Sequence, residues 1–242
     1  EPENVAKLAS ALNVNEVMAN LLVQRGINSF EEAKTFFRPQ LSQLHDPNLM
    51  QDMAKATQRV QDAIERNEKI LIYGDYDVDG TTSVSLVYCF LETIHDRLDY
   101  YIPDRYSEGY GISIKGMDYA AETGCTVVIA LDCGIKAIAQ AEHAKSKGID
   151  LIICDHHRPG DTLPDAYAVL DPKREDCNYP YDELSGCGIG FKLMQALAEK
   201  RGMPFSTVEQ LLDLLVVSIA ADIVPITGEN RILAYYGLKE LN

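Results

Sequence analysis

Lys69-Ile70-Leu71-Ile72-Tyr73-Gly74-Asp75-Tyr76-Asp77-Val78-Asp79-Gly80 opens on a short apolar run and closes on a crowd of acids. Ile70–Tyr73 has the length of a strand, and a helical pattern from about Thr81 to Ile94 follows the acidic loop. The same grammar recurs downstream. Tyr100-Tyr101-Ile102, Thr126–Leu131, Leu151–Cys154 and Ala168-Val169-Leu170 are further apolar runs, and helical stretches separate most of them. Continuous apolar strands alternating with helices predict an α/β fold, a parallel sheet with helices on both faces. Two more helices are expected near Ile189–Lys200 and Ser206–Ile223.

Three of these runs end in chemistry. The first leads into Asp75-Tyr76-Asp77-Val78-Asp79-Gly80, the third into Asp132-Cys133-Gly134, the fourth into Asp155-His156-His157. In an open parallel sheet the carboxyl ends of the strands share one edge, and ligands bind there. The three motifs are therefore expected to meet in space. Asp75, Asp77 and Asp79 alternate, so in extended chain their side chains would point the same way. Like charges crowded at a strand end repel unless a cation neutralises them. With Asp132 and two histidines they form an oxygen and nitrogen donor set suited to Mn2+, Mg2+ or similar ions. Carboxylates in this number usually mean two metals sharing a bridging ligand.

A solvated acidic turn is the bland alternative. An EF-hand is disfavoured because Thr81-Thr82-Ser83 runs straight into a helix and the twelfth position from Asp75 is Leu86, not Glu. A phospho-acceptor receiver domain has no need of Asp155-His156-His157. No Walker-type or dinucleotide fingerprint follows the first strand.

Three weaker signals lie elsewhere. Asp222 ends the apolar stretch Leu214–Ala221, where the helix dipole disfavours an anion unless a cation lies near; a plain solvated helix end is the alternative. Ser185-Gly186-Cys187-Gly188-Ile189-Gly190 leads into a helix, and small residues there would let backbone N–H groups approach a phosphate; a tight turn is the alternative. Arg105, after the second run, could fork onto a phosphate or be a surface arginine.

Residues 1–66 read as short helices with no chemistry. Asn13 with Glu16, and Ser29 with Glu32, have capping-box spacing. Gly26 and Pro39 are the expected stops. Met53, Ala56, Val60 and Ala63 make 51–66 amphipathic.

The net charge of −15 argues against a nucleic-acid surface, because phosphate contacts need cations. Metal-holding carboxylates soften the point, since they are neutralised when loaded. No window is apolar enough for a membrane span, and the polar N-terminus is not a signal peptide. Six cysteines without a C-x-x-C pair suggest buried free thiols in a reducing compartment, hence a cytoplasmic protein.

The Asp155-His156-His157 triplet, with the Asp75–Gly80 and Asp132-Cys133-Gly134 motifs before it, resembles the DHH phosphoesterase superfamily. Within it the chain looks most like the RecJ family of 5′-to-3′ single-strand DNA exonucleases, over Pro103–Gly111, Leu184–Lys192, Ala220–Leu238 and the N-terminal helices. The resemblance implies Asp75, Asp77, Asp79, Asp132, His156 and Asp222 as ligands of two Mn2+ or Mg2+ ions, with Asp132 bridging. It implies catalytic roles for Asp132, for His157 beside the scissile phosphate and for Asp155 behind a histidine. Arg105, His157, Ser185, Gly186 and Gly188 would meet the substrate phosphate.

It further implies a helical segment at 1–66, a DHH domain at 67–226 and, at 227–242, the start of a helix leading to a DHHA1-type domain absent from this chain. Single-stranded DNA, bound weakly without that domain, and single-strand-binding protein are the implied partners. One rival is a DHH enzyme of pyrophosphate, cyclic dinucleotides or very short oligonucleotides; those relatives place a His where this chain has Tyr73. The other is a RecJ-like replisome module that has lost catalysis, which the intact acids and histidines disfavour.

Overall fold

The computed structural model describes residues 2–241, so the outermost residues of the expected segments, Glu1 and Asn242, lie outside the described residues. The expected strands all form: β1 (Lys69–Gly74), β2 (Leu98–Tyr101), β3 (Cys125–Leu131), β4 (Asp150–Cys154) and β5 (Ala168–Leu170). They make one sheet in the order β2-β1-β3-β4-β5, and every pairing is parallel. Helices α1 (Pro2–Leu12), α2 (Glu16–Val23), α3 (Phe30–Phe37) and α4 (Met53–Glu65) precede the sheet. Helices α5 (Val78–Leu91), α6 (Ile114–Glu122) and α7 (Ile138–Ser146) lie between strands. Helices α8 (Gly186–Lys200), α9 (Ser206–Glu209), α10 (Leu212–Ala221) and α11 (Gly228–Glu240) follow it.

Alternation along the strands sends residues to two cores. Leu71 and Tyr73, Val128 and Ala130, and Leu151 and Ile153 join Met117 and Ala120 of α6 and Ala141 and Ala144 of α7. On the other face α5 packs on β1, and α8 packs on β3, β4, α4 and α5. Gly190 on α8 lets that helix approach, since a Cβ there would lie 3.1 Å from Leu131 and 3.2 Å from Val87.

The chain divides into two compact units at Leu44/His45. The first holds α1–α3 around Leu8, Ala19, Leu22, Ile27 and Ala33. The second holds the sheet and also α4, whose Met53, Ala56, Val60 and Ala63 are buried as the spacing predicts. The compact boundary thus falls well before residue 66, because the apolar stripe of α4 packs on α8.

Three local expectations change. The Ser29–Glu32 capping box forms, but Asn13 does not pair with Glu16; it sits at φ 53 after α1, and Asn15 caps α2 by accepting from Met18 N–H. The helix expected over Ser206–Ile223 is two helices, broken at Gln210–Leu211. Asp75, Asp77 and Asp79 do not share a direction, because α5 starts at Val78 rather than near Thr81. The chain is extended only as far as the helix cap, so Asp77 is the N-cap and Asp79 lies in the first turn.

Candidate metal centre

Each of the three motifs sits at the carboxyl edge of the sheet, one residue past its strand. The turn after β1 is very tight. A Cβ on Gly80 would run into the backbone N (2.6 Å) and carbonyl of Asp75, so only glycine lets α5 start there. Asp75 is fully buried, and its Oδ1 accepts the Tyr76 N–H at 2.7 Å while Oδ2 has no hydrogen-bond partner. Asp77 is exposed and accepts the Gly80 N–H at 2.9 Å.

Asp79 is buried and turned toward α8. Its Oδ2 accepts the Gly186 N–H at 2.7 Å, and its Oδ1 accepts the Cys187 N–H at 2.8 Å and the Ser218 hydroxyl at 2.7 Å. These bonds take three of the roughly four acceptor positions a carboxylate has.

Asp132 has a backbone φ of 58, in the left-handed region that non-glycine residues rarely adopt. Its amide is held by Cys154 O at 2.9 Å, and Gly186 packs so close that a Cβ there would be 2.5 Å from the Asp132 Cβ. The Asp132 side chain is buried and its Oδ1 has no hydrogen-bond partner. Strain of this kind, held by neighbours on two elements, is typical of functional positions.

The histidines have different tasks. His156 is buried, and its Nε2 faces Asp132 Oδ1 at 3.2 Å, Asp222 Oδ2 at 3.6 Å and Asp79 Oδ2 at 3.7 Å. His157 is exposed, and its Nδ1–H donates to Asp155 Oδ1 at 2.7 Å, which leaves Nε2 outward, 3.3 Å from the Tyr110 hydroxyl. Asp155 is saturated: Oδ1 also accepts the N–H of His156 and His157, and Oδ2 accepts the Ile135 N–H. Asp222 is the C-cap of α10 and reaches His156 from across the edge.

The electrostatics follow burial. Desolvation, then the charges of Asp79 and Asp77, push the Asp132 carboxyl up to about 10. Desolvation also raises Asp75 and Asp222. Burial works against Asp155 too, but the His157 hydrogen bond and charge and the Ile135 N–H hold it below the ordinary carboxylate range. The Asp155 hydrogen bond in turn raises His157. Buried carboxylates that resist ionisation, with unpartnered atoms at Asp75 Oδ2, Asp132 Oδ1 and His156 Nε2, fit a donor set made for cations.

Ligand atoms within 4.8 Å of one another form two groups, Asp132–His156–His157 and Asp79–His156–Asp222, which share His156. Asp75 and Asp77 stand at the same edge outside these groups.

The expected phosphate cradle at Ser185, Gly186 and Gly188 is corrected by the structure. Their donors are buried and already used: Gly186 N–H by Asp79, Gly188 N–H by the Ser185 hydroxyl, and Ser185 itself by Ser218 at 2.6 Å. Gly186 serves close packing against Asp132 instead. Arg105 is exposed, with its guanidinium 5.3 Å from the centre of the Tyr76 ring, on the lip of the site.

Sequence reading passed over two residues. Tyr110 lies inside the Pro103–Gly111 stretch but gave no separate signal; its hydroxyl is raised by burial and by Asp132 and Asp75. Asp171 follows β5 as Asp75, Asp132 and Asp155 follow their strands, and that position was the available clue. It is fully buried, and desolvation pushes it up to about 7.

The model of the DHH family, N-terminal domain, matches residues 69–219. The chain is 41% identical over 241 residues to the single-stranded-DNA-specific exonuclease RecJ of Bacillus subtilis strain 168, covering all of this chain and 30% of that protein. Among solved structures, it is similar to exonuclease RecJ bound to manganese (29% identity, TM-score 0.74, 83% of this chain and 49% of that one). It is also similar to RecJ of Thermus thermophilus in complex with Mn2+ (26% identity, TM-score 0.81, 98% of this chain and 33% of that one). The chain thus matches 30% of the length of its Bacillus subtilis relative. With the family model covering well over half of its residues, the chain belongs to the DHH family.

Proposed function

We propose that the chain is the metal-binding phosphodiesterase core of a RecJ-type exonuclease, removing nucleoside 5′-monophosphates from the 5′ end of single-stranded DNA in recombination and repair. The observation that carries this reading is the pair of donor groups sharing His156, one of which includes the exposed, oriented His157. In this reading Asp75, Asp77, Asp79, Asp132, His156 and Asp222 hold two divalent cations, Mn2+ or Mg2+, and residues 67–226 form the catalytic part, with 227–242 leading onward.

Cations bound there supply Lewis-acid stabilisation of the phosphoryl oxygens and of an attacking water. The chain's own residues do the rest. Asp155 fixes the His157 tautomer, so that Nε2 faces outward toward a scissile phosphate and can hold or pass a proton. Arg105, on the lip, is placed to take a phosphate of the incoming strand. Tyr73 supports the polynucleotide branch over the small-substrate one. It is fully buried, and its hydroxyl donates to Gly111 O at 2.9 Å and accepts the Ser113 N–H at 3.1 Å, so it is committed to the loop and not to a cation. Single-strand-binding protein as partner and a cytoplasmic location belong to the same reading; the second is supported by six cysteines that are all free thiols.

The test is nucleotide release from 5′-phosphorylated single-stranded DNA with Mn2+, for this chain and Asp132→Ala. Mononucleotides from the 5′ end, lost in the variant, support the proposal. Hydrolysis of pyrophosphate or dinucleotides in place of DNA would overturn it.

A further inference from the structure

We propose that Ser218 is a positioning residue of the metal centre: its buried hydroxyl donates to Asp79 and so sets that carboxylate against Asp222, which lies one turn further along the same helix as Ser218. This rests on the metal-site reading of Asp79, His156 and Asp222.

Those three residues form one donor group, yet Asp79 comes from α5 and Asp222 from the end of α10. Two carboxylates that share a cation repel each other until it binds, so the protein must hold them in place beforehand. Ser218 is bonded to both. Its main-chain carbonyl accepts the Asp222 N–H at 2.9 Å, as any residue at that place in the helix would. Its hydroxyl lies 2.7 Å from Asp79 Oδ1, and that second link is specific to the side chain.

The direction of the hydrogen bonds follows from the donors. Asp79 takes N–H groups from Gly186 and Cys187, so it acts as an acceptor and the Ser218 proton points at it. The Ser185 hydroxyl, 2.6 Å from Ser218 Oγ, then donates to Ser218, and Ser185 Oγ accepts the Gly188 N–H at 3.2 Å. A relay runs from Gly188 through Ser185 and Ser218 to Asp79, each group donating to the next, and such chains polarise in one sense and strengthen the last bond. Both serines are at 0% exposure, so solvent does not compete for their protons. With Oδ1 fixed by Ser218 and Cys187, Asp79 Oδ2 stands 3.7 Å from His156 Nε2, and Asp222 Oδ2 stands 3.6 Å from the same nitrogen.

Ser218→Ala removes the hydroxyl and keeps α10 helical. In Mn2+ titration calorimetry wild type is expected to take up two ions, and the variant to bind one of them about 10–100-fold more weakly and the other within about twofold. Ser185→Ala is the control for mere destabilisation. It breaks the same buried chain and the N-cap of α8 but leaves the Ser218 bond to Asp79. Its metal-free melting temperature should fall at least as far as that of Ser218→Ala, while both ions bind within about twofold of wild type. Equal Mn2+ losses in the two variants would show that the hydroxyl acts only through stability and would overturn the proposal; so would an unchanged affinity in Ser218→Ala. A measurement on wild type serves even where Ser218→Ala fails to fold. In mixed light and heavy water the 13Cβ signal of Ser218 is expected to be split by slow hydroxyl exchange and to stay split with Mg2+ bound. A single line in the loaded protein would mean that the hydroxyl has left Asp79, and the proposal falls. If wild type itself binds no Mn2+, the metal-site reading falls and this inference with it; if wild type binds two ions and Ser218→Ala matches it, this inference alone falls.

Discussion

Asp79 and Gly186 lie 107 residues apart in the chain, yet Asp79 Oδ2 accepts the Gly186 N–H at 2.7 Å. That bond and the one from Cys187 N–H fasten the start of α8 to the first turn of α5, and the Ser218 hydroxyl ties α10 to the same carboxylate. Asp79 is thus a structural anion as well as a candidate ligand, and it differs in this from Asp132, whose Oδ1 has no hydrogen-bond partner.

The two acids should therefore answer oppositely to amidation in metal-free protein. Asp79→Asn replaces an acceptor with a donor against buried N–H groups, and should cost about 1–3 kcal/mol. Asp132→Asn removes a carboxyl that folding makes hard to ionise, so at about pH 8 it should leave stability unchanged or raised. Urea unfolding in EDTA reads both; equal losses would refute the distinction.

Stability of the metal-free protein should fall as pH rises. The folded-state carboxyls of Asp132 and Asp171 are raised to about 10 and about 7. A raised carboxyl binds more protons folded than unfolded, so its contribution is complete below about pH 4 and is lost as pH climbs through the folded value. The His157 shift, upward through Asp155, has the same sign. Asp155, held low, acts oppositely, and its contribution is lost only as pH falls through its lowered value. Melting temperatures in EDTA should decline between about pH 6 and 9, and Mn2+ should flatten the decline. A metal-free profile that rises over this window would contradict the site electrostatics.

His156 and His157 should separate binding from chemistry. His156→Ala removes the nitrogen common to both donor groups and should abolish tight Mn2+ binding. His157→Ala should keep most of the Mn2+ affinity and lower single-turnover cleavage by about 10²–10⁴-fold, the range for a positioned acid or base. Calorimetry beside quench-flow kinetics distinguishes them, and similar metal losses in both variants would argue for equivalent ligands.

Gly80→Ala and Gly26→Ala test sterics against backbone freedom. Gly80 abuts the Asp75 main chain, which cannot yield, so the variant should lose more than about 3 kcal/mol or fail to fold. Gly26 has open space and only a positive φ of 78, so its variant should lose about 1 kcal/mol. Denaturant titration ranks them.

Much of the molecule was legible in the chain. Strands buried on both faces are written as unbroken apolar runs, so the five strands and their parallel pairing followed from Ile70–Tyr73 and its successors. A parallel sheet gathers its carboxyl ends on one edge, so the meeting of Asp79, Asp132 and His156 there followed as well. Tertiary structure alone decided what each acid does there. Whether Asp79 faces a cation or the N–H groups of α8 depends on a helix that arrives 107 residues later. Whether Ser185 and Gly186 greet a phosphate depends on what already fills their hydrogen bonds. That Asp171 is a buried acid with an idle oxygen depends on what packs around it. Local sequence encodes residue type and period, whereas hydrogen-bond partners, desolvation and strain are set by segments distant in the chain.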